Sequence, residues 1–519
     1  MKKHDFIRGA SLLAISVVIA KILGAVYRIP LANIIGAQGM GLYQFVYPVF
    51  ALILTLSSGA VPTAISLVVS ESEARGDAAG AKKDFTIALK ICLIAGMSGT
   101  LLLLLIAYPV SLLQSKEAFL GYLTIAPAVF IVTVISAFRG FFAAKRNMLP
   151  YSISQITEGI VKLAVGLTAA YFLAPYGEKY AVAGALLGVG ASELVTLILL
   201  FFTYIKEEKN FVRVRLKDNK DAARKLVLTI VPLLIGGIVL PLSQFADSLL
   251  FVNLLKTGTN PAERATSSYG VFSGVVTPII NLPIMVCISL GIAITPQMAE
   301  GKIKRDVDFI MDKATTATKI IFAVCVPFAL IFIFLGDAVI NLLYPNLGAE
   351  NIMLGGKLLA ISAVNILTLS VFQIYSAILQ GLGKITVPVK VMGGCVIFKT
   401  ILSCILIPFI GMTGAAAANT AAFLIAAAVI MAYFFRYARV VDDLAKNSSL
   451  ITLCGAIMSL IIVITIQILT SPVSLILAAG VSILVYAVML FVLRVFTPDE
   501  LKSMPLGGIL VKIDAIIHK

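Results

Sequence analysis

The chain has 519 residues, of which 60% are hydrophobic and only 13% are charged, and its mean hydropathy is +1.03. Soluble domains average about 45–50% apolar and about 25% charged residues, so a water-soluble core is excluded. The net charge of +15 comes without a basic patch interleaved with aromatic residues, so nucleic acid is not an expected partner. The apolar runs of about 20 residues or more predict an all-α polytopic membrane protein and exclude barrel strands.

Fourteen transmembrane helices are predicted along the chain. The first is expected to be retained, because no small-residue cleavage site follows the charged start MKKHDFIRG. The predicted spans centre on residues 9–29, 42–70, 85–113, 120–144, 151–174, 180–205, 226–254, 268–297, 315–335, 353–381, 387–410, 413–436, 448–470 and 473–496.

The connections between these spans have a strong charge bias. The loops of one side, with both termini, contain 27 lysines and arginines, whereas the opposite loops contain only Lys116, Lys179, Lys256 and Arg264. Because cytoplasmic loops are enriched in basic residues, both termini are predicted to be cytoplasmic.

Two related halves are predicted within the chain. The segments FRGFFAAKRNMLPYSISQITEGIVKL and YSAILQGLGKITVPVKVMGGCVIFKT align at an offset of 238, which places Pro150 on Pro388. Six spans separate the copies, so they form a parallel repeat with a pseudo-two-fold axis along the membrane normal and a site between two six-helix lobes. The predicted domains are an N-terminal lobe, a charged linker, a C-terminal lobe, two further helices and a cytoplasmic tail, at 1–205, 206–225, 226–437, 438–497 and 498–519.

Several ionisable residues fall inside the predicted spans. A cation at mid-bilayer costs about 2.5–3.5 kcal/mol, so such residues normally line a cavity or pathway. A cationic cavity suits a phosphate or pyrophosphate group. The candidate substrate-binding cations are Lys21, Arg28, Arg139, Lys162 and Lys399, and the candidate ion-coupling groups or charge partners are Glu158, Glu193 and Asp247.

The repeat relates two of these cations. The offset of 238 takes residue 162 to 400, one position from Lys399, so two lysines are predicted at similar depth in matching helices. A purely structural interpretation also stays open. In it the arginines reach the headgroups, Glu158 and Lys162 neutralise each other on one helix face, and the other lysines bind backbone carbonyls. Glu193 and Asp247 are then packing partners of these cations.

Helix-breaking residues occur at corresponding places in the two halves. The second span contains SSGAVP at residues 57–62, and the eighth contains NLP at residues 281–283. Breaks at matching positions are typical of a transport site or a bending helix.

No metal, cofactor or enzyme site is predicted. The six cysteines lie in apolar spans without CxxC spacing, and the two histidines lie at the chain ends. The cysteines are interpreted as packing residues. No HExxH, P-loop or GxSxG motif with a plausible partner histidine occurs, so a transporter is favoured over an enzyme or an ATP-driven pump.

The stretch from Arg8, RGASLLAISVVIAKILGAVYRIPLANIIGAQGMGLYQFVYPVFALILTLSSGAVPTAISLVVSE, resembles the start of the stage V sporulation protein B family. The segment beginning FRGFFAAKRN strengthens this resemblance. The family lies in the polysaccharide-transporter branch of the multidrug/oligosaccharidyl-lipid/polysaccharide (MOP) exporter superfamily, with the lipid II flippases. The resemblance implies two six-helix lobes, extra C-terminal helices, and export of a polyprenyl-pyrophosphate-linked saccharide across a bacterial cell membrane.

The resemblance also implies a role for the first helix. Lipid II flippases carry an arginine before an LG pair there, and Lys21 of KILGAVYR stands at that position; Tyr27 and Arg28 replace a following Arg-Asp. These cations would meet the pyrophosphate of a peptidoglycan precursor such as lipid II. A monomer working by alternating access is expected, coupled to Na⁺, H⁺ or the membrane potential, in sporulation or vegetative cell-wall synthesis.

Two other functions stay open from the residues. One is a cation-coupled multidrug exporter of the same superfamily, which would use Glu158, Glu193 and Asp247. The other is a non-transporting membrane scaffold for cell-wall enzymes, in which the linker 206–225 matters and the intramembrane charges do not.

Overall fold

The structure, a computed structural model, describes residues 3–207, 220–256, 262–438, 442–468, 472–503 and 507–518, and these residues form helices joined by short turns. Eleven of the described helices are long and apolar enough to cross a membrane. The other predicted spans correspond to the second half of the long first helix, to a pair of shorter helices within 220–256, and to the apolar helix Leu477–Val492. The predicted all-α, multi-pass membrane fold is confirmed.

The chain divides into two compact units, Met1–Val275 and Val276–Lys519, called unit 1 and unit 2. Residues 226–275, which the repeat assigns to the second lobe, pack in unit 1. The predicted linker lies mostly outside the described residues, and the predicted domain boundaries stay a prediction.

The helices of unit 1 are α1 Lys3–Ser58, α2 Val61–Ala74, α3 Ala78–Leu113, α4 Ala118–Ala144, α5 Met148–Leu173, α6 Glu178–Glu207, α7 Lys220–Gly237, α8 Val239–Lys256 and α9 Ala262–Tyr269, and a π-helix, Gly270–Val276, follows α9.

The helix α1 contains the first predicted span and most of the second. Only Gly36 departs from helical geometry between them, at φ 68°, a conformation that glycine adopts without steric cost. The predicted break at residues 57–62 is confirmed, because α1 ends at Ser58 and α2 begins at Val61.

Unit 2 begins at the last residue of the π-helix. Its helices are α10 Thr277–Lys304, α11 Val307–Phe334, α12 Gly336–Leu343, α13 Ala349–Ser362, α14 Val364–Gly381, α15 Thr386–Ile410, α16 Met412–Ala438, α17 Asp442–Ile468, α18 Pro472–Val492, α19 Pro498–Ser503 and α20 Gly507–Ile517. The predicted interruption at Pro283 is wrong, because α10 continues through Pro283 and Pro296. Proline is tolerated inside membrane helices where neighbours satisfy the freed backbone groups, and here the irregular backbone is the π-helix just before α10.

Two pairs of turns show the internal repeat locally. Between α2 and α3, Gly76 has φ 75° and Asp77 caps the next helix; between α10 and α11, Arg305 has φ 56° and Asp306 caps the next helix. Left-handed residues that end a helix, followed by a capping side chain, are a defined local structure. Its occurrence at equivalent places supports the parallel repeat.

The second pair of turns corrects the alignment of the repeat by one residue. Arg146 after α4 and Gly383 after α14 both have positive φ, at 59° and 79°. The next N–H in each case bonds back to the helix, from Asn147 to the Phe142 carbonyl and from Lys384 to the Leu379 carbonyl. Superposing these turns requires an offset of 237. At that offset Lys162 aligns directly with Lys399.

Helices α5 and α6 touch at glycines. A Cβ atom added to Gly188 would lie 2.2 Å from Gly166 Cα. We expect Gly188→Val to lower the free energy of unfolding by about 1–3 kcal/mol, because overpacking forces the helices apart. The Tm of the purified protein in detergent measures the effect. Gly190→Val is the matched control, since nothing lies within 4 Å of its added Cβ; equal Tm values for the two variants would contradict the prediction.

Glu500, in the C-terminal tail, accepts hydrogen bonds from two side chains of α11. Glu500 Oε2 accepts from the Thr497 N–H at 2.8 Å, and the Glu500 N–H returns a bond to Thr497 Oγ1 at 3.3 Å, so the two residues form a capping box. Glu500 Oε1 accepts from Lys319 Nζ and from Thr316 Oγ1, both at 3.0 Å. Burial raises the pKa of Glu500, but the Thr497 N–H, Lys319 and Thr316 outweigh burial and leave the pKa below its usual value.

Acid is therefore expected to release the tail. A carboxyl whose folded-state pKa is lowered stabilises the docked state above its ordinary pKa, and this stabilisation is lost as the pH falls through the lowered value. A fluorophore on Lys502→Cys should report undocking as the pH is lowered from 7 to about 3. Glu500→Gln should undock at pH 7 and show no further transition, whereas Glu300→Gln, which removes an exposed ion pair, should behave as the parent. An acid transition that persists in Glu500→Gln would refute this assignment.

Candidate functional site

Three helices of unit 1, α4, α5 and α6, bring four of the predicted charges together. Arg139 lies on α4, Glu158 and Lys162 lie one turn apart on α5, and Glu193 lies on α6. The carboxyl group of Glu193 interacts electrostatically with the other three residues, so they form one connected set.

Arg139 has a carboxylate partner. Its Nη2 donates to Glu158 Oε2 at 2.9 Å, its Nε donates to Ser154 Oγ at 3.1 Å, and its guanidinium lies 5.5 Å from the centre of the Tyr151 ring. The Arg139 side chain is 13% exposed and that of Glu158 is 30% exposed. The close ion pair is thus between α4 and α5, and not within α5 as the structural interpretation of the sequence has it.

Glu193 is the buried acid of the set, at 6% exposure. Its Oε2 has no hydrogen-bond partner among the described residues. A buried carboxyl oxygen without a partner is costly when charged, so a proton or a cation would stabilise it.

Lys162 lies among tyrosines of α1. Its Nζ is 5.5 Å from the centre of the Tyr27 ring and 5.7 Å from that of Tyr47, and Tyr47 stacks on Tyr43 at 5.7 Å. The Tyr27 hydroxyl donates to the Ala185 carbonyl on α6 at 3.2 Å, which fixes this ring. Two aromatic faces hold the ammonium in place while leaving its N–H groups available to an anion.

The two candidate cations of α1, Lys21 and Arg28, are partly buried. In the described part of the chain, no carboxylate lies within 4.0 Å of Lys21, Arg28 or Lys162. Arg28 interacts electrostatically with Lys162, and repulsion between like charges makes an added anion favourable. The set of Arg28, Lys162, Arg139, Glu158 and Glu193 is called the unit 1 site.

The remaining predicted residues lie elsewhere. Asp247 is on α8, where it interacts electrostatically with Tyr269. Lys399 is in unit 2, on α15, where it is 8% exposed and interacts with Cys395 one turn earlier. Its predicted role together with Lys162 stays a prediction.

The sequence analysis missed the tyrosines of the site. Tyr43 and Tyr47 are four residues apart and therefore share a helix face, and Tyr27 directly precedes Arg28. This spacing was a usable signal, but only the packing of α1 against α5 shows that the rings enclose Lys162.

Comparisons with known proteins agree with this architecture. The family model described as "Polysaccharide biosynthesis protein" matches residues 6–302, and the model named MatE matches residues 232–405. The chain is 28% identical to stage V sporulation protein B of Bacillus subtilis over 526 residues, which cover 98% of this chain and 100% of that protein. It is 24% identical over 439 residues to the lipid II flippase MurJ of the same organism, covering 79% and 78% of the two chains.

Solved structures show the same fold. The lipid II flippase MurJ in an inward closed conformation superposes with a TM-score of 0.72 and 14% identity, covering 93% of this chain and 98% of that one. A multidrug resistance MATE family transporter of the MOP superfamily, in an inward-facing conformation, gives a TM-score of 0.70 with 15% identity, covering 81% and 94%.

Proposed function

The chain belongs to the polysaccharide biosynthesis protein family, within the MOP superfamily of membrane transporters, and from this premise we propose that it is a flippase for a polyprenyl-pyrophosphate-linked saccharide. The cargo is a peptidoglycan precursor such as lipid II, carried from the inner to the outer leaflet by alternating access. The relatives named above as lipid II flippases support this cargo class.

The observation that carries the proposal is the excess of cations at the unit 1 site. Glu158 compensates Arg139, whereas Lys162 and Arg28 have no carboxylate within 4.0 Å among the described residues. Intramembrane cations are retained where they meet an anion or line a pathway. A pyrophosphate carries the matching charge and several acceptor oxygens, and lysine and arginine both bind it.

The aromatic contacts contribute preorganisation. Tyr27 and Tyr47 hold Lys162 in place before cargo arrives, so less side-chain freedom is lost on binding. Lys21, seven residues before Arg28 on α1, would meet the cargo at another depth, and Lys399 on α15 is a further candidate cation.

The acids of the site are candidates for coupling to an ion. Glu193 would bind and release a proton or Na⁺. Glu158 would alternate between its ion pair with Arg139 and a contact with that ion. Asp247 on α8 is a third candidate. Both termini are proposed to be cytoplasmic, on the basis of the charge bias of the loops.

A cation-coupled multidrug exporter is the second candidate function. The MatE match over residues 232–405 and the MATE transporter fold favour it. The positive balance of the unit 1 site disfavours a cationic drug, because like charges repel.

Reconstitution distinguishes these functions. Purified protein in liposomes that contain a fluorescent undecaprenyl-pyrophosphoryl saccharide should move the label to the opposite leaflet, where a membrane-impermeant reductant quenches it. The assay is run with and without a membrane potential and a Na⁺ gradient. Protein-free liposomes and a fluorescent phospholipid are the controls. Drug extrusion from a pump-deficient host, without lipid flipping in liposomes, would favour the multidrug exporter. The absence of both activities would favour the non-transporting membrane scaffold.

A further inference from the structure

The last described helix, α20, has an exposed apolar side. Ile509, Ile513 and Ile516 follow one another at intervals of four and three residues, so they lie on one side of the helix. Ile509 is 57% exposed and Ile516 is 73% exposed, with Ile513 between them at 37%. Lys512, also exposed, lies at the edge of the same side. The three isoleucines form a continuous apolar surface of roughly two helical turns, called the isoleucine strip.

The opposite side of α20 packs on the protein. Leu510, Val511, Asp514 and Ile517 are half-buried and recur at the spacing of one helix side. This side supplies the contacts of α20 with the rest of the described chain. The isoleucine strip is therefore free to meet a partner outside the chain.

The end of α20 is held at the end of a membrane helix. His518, the residue after α20, has its Nε2 atom 3.0 Å from the carbonyl oxygen of Phe491, which lies in the last turn of α18. The same nitrogen lies 3.6 Å from Asp514 Oδ1, one turn back on the packed side of α20. These contacts set the level of α20 along the direction in which α18 crosses the membrane.

This level is the boundary between acyl chains and headgroups. The helix α18 is apolar to its last residue, Val492, and Arg494 follows it in a left-handed turn with φ 48°. The eleven residues of α20 are about 16 Å long, whereas the hydrocarbon core is about 30 Å thick, so α20 is too short to cross it. A short helix with an apolar side and a cation at the edge of that side is typical of the membrane interface.

We propose that α20 is an interfacial anchor, whose isoleucine strip lies in the bilayer surface at the level where α18 ends. Its isoleucines contact acyl chains, and the ammonium group of Lys512 extends to the headgroups. A second copy of the chain fits this strip less well, because a stable protein interface buries about 800 Å² on each partner, much more than three side chains offer. The proposal concerns the surrounding lipid and not the cargo, so it does not depend on lipid flipping.

A single indole tests the position of the strip. The chain contains no tryptophan, so the emission of Ile516→Trp comes from α20 alone. The protein is reconstituted in phosphatidylcholine–phosphatidylglycerol vesicles with and without bromine atoms on the acyl chains, which quench a nearby indole. Brominated lipid should lower the emission at least about twofold. Lys304→Trp, at the exposed end of α10, is the control and should keep its emission.

Two results of this measurement would overturn the proposal. One is equal emission of Ile516→Trp in the brominated and the ordinary lipid. The other is an emission spectrum that changes with the ratio of protein to lipid but not with bromination, which would assign the isoleucine strip to a second copy of the chain.

Proteolysis at Lys512 gives an independent readout. Trypsin should cut slowly after Lys512 in vesicles, because the anchored helix does not open. Ile513→Ser combined with Ile516→Ser should accelerate the cut at least about tenfold, since most of the apolar area of the strip is lost. Ala515→Ser places the same side chain on α20 outside the strip and should be cut at the parent rate. An unchanged rate in the double variant would contradict the interfacial anchor, whatever the protein transports.

Discussion

Replacing Lys162 by alanine is expected to slow flipping of the pyrophosphate-linked lipid at least about tenfold. Loss of a hydrogen bond between charged groups removes about 1.5–3 kcal/mol, and each 1.4 kcal/mol is a factor of ten. The measurement is the initial flipping rate in proteoliposomes at equal protein content. The amount of folded protein should not fall, because Lys162 has no carboxylate within 4.0 Å among the described residues that would be left unpaired.

Matched variants separate charge from aromatic contact. Lys162→Arg should retain most of the rate, since it keeps the positive charge. Tyr47→Leu should lower the rate about 2–30-fold, in line with about 0.5–2 kcal/mol for a cation–π contact, whereas Tyr47→Phe should retain it. Lys179→Ala removes an exposed lysine in the first turn of α6 and should match the parent. Full transport by Lys162→Ala would show that this cation does not bind the cargo.

Replacing Arg139 by alanine is expected to destabilise the protein by about 2 kcal/mol. The change leaves Glu158 without its ion-pair partner and Ser154 without a donor. Breaking a fully buried pair costs about 3–5 kcal/mol, and the effect here is smaller because the Glu158 side chain is 30% exposed to solvent. Thermal unfolding in detergent should show a lower Tm.

A double-mutant cycle isolates the pair. Arg139→Glu alone should be worse than Arg139→Ala, because it adds a third acid beside Glu158 and Glu193. Combining it with Glu158→Arg should recover part of the loss. Glu71→Gln, which removes the exposed partner of Arg75, should change stability by less than about 0.5 kcal/mol. A parent-like Tm for Arg139→Ala would mean that the pair contributes nothing to stability.

The structure groups four of the predicted charged residues, but their binding role stays a prediction and their partners were not all predicted. Hydropathy and charge placed Arg139, Glu158, Lys162 and Glu193 inside membrane spans, and the structure brings these four together. Glu158 forms its close ion pair with Arg139 and not with Lys162, because α4 packs against α5 at Ser154 and Glu158. Helical spacing describes neighbours on one helix and carries no information about which residue the next helix presents.

The internal repeat also shows a difference between what the sequence predicted and what the structure added. The alignment of Pro150 with Pro388 was found in the sequence and was one residue from the offset that the turns require. The left-handed residues Arg146 and Gly383 decide the register, because a helix end has a defined hydrogen-bond pattern whatever side chain occupies it.

The amino-acid sequence alone established an all-helical membrane protein, its internal repeat and the breaks at residues 57–62, because hydropathy, charge and helix-breaking residues act locally. It did not reveal the tyrosines around Lys162 or the grouping of α7, α8 and α9 with the first six helices. Both depend on contacts between residues far apart in the chain, such as Gln114 with Ser248. In a chain where nearly every helix is apolar, hydrophobic patterning shows that a helix enters the membrane, whereas small residues and buried hydrogen bonds select its neighbours.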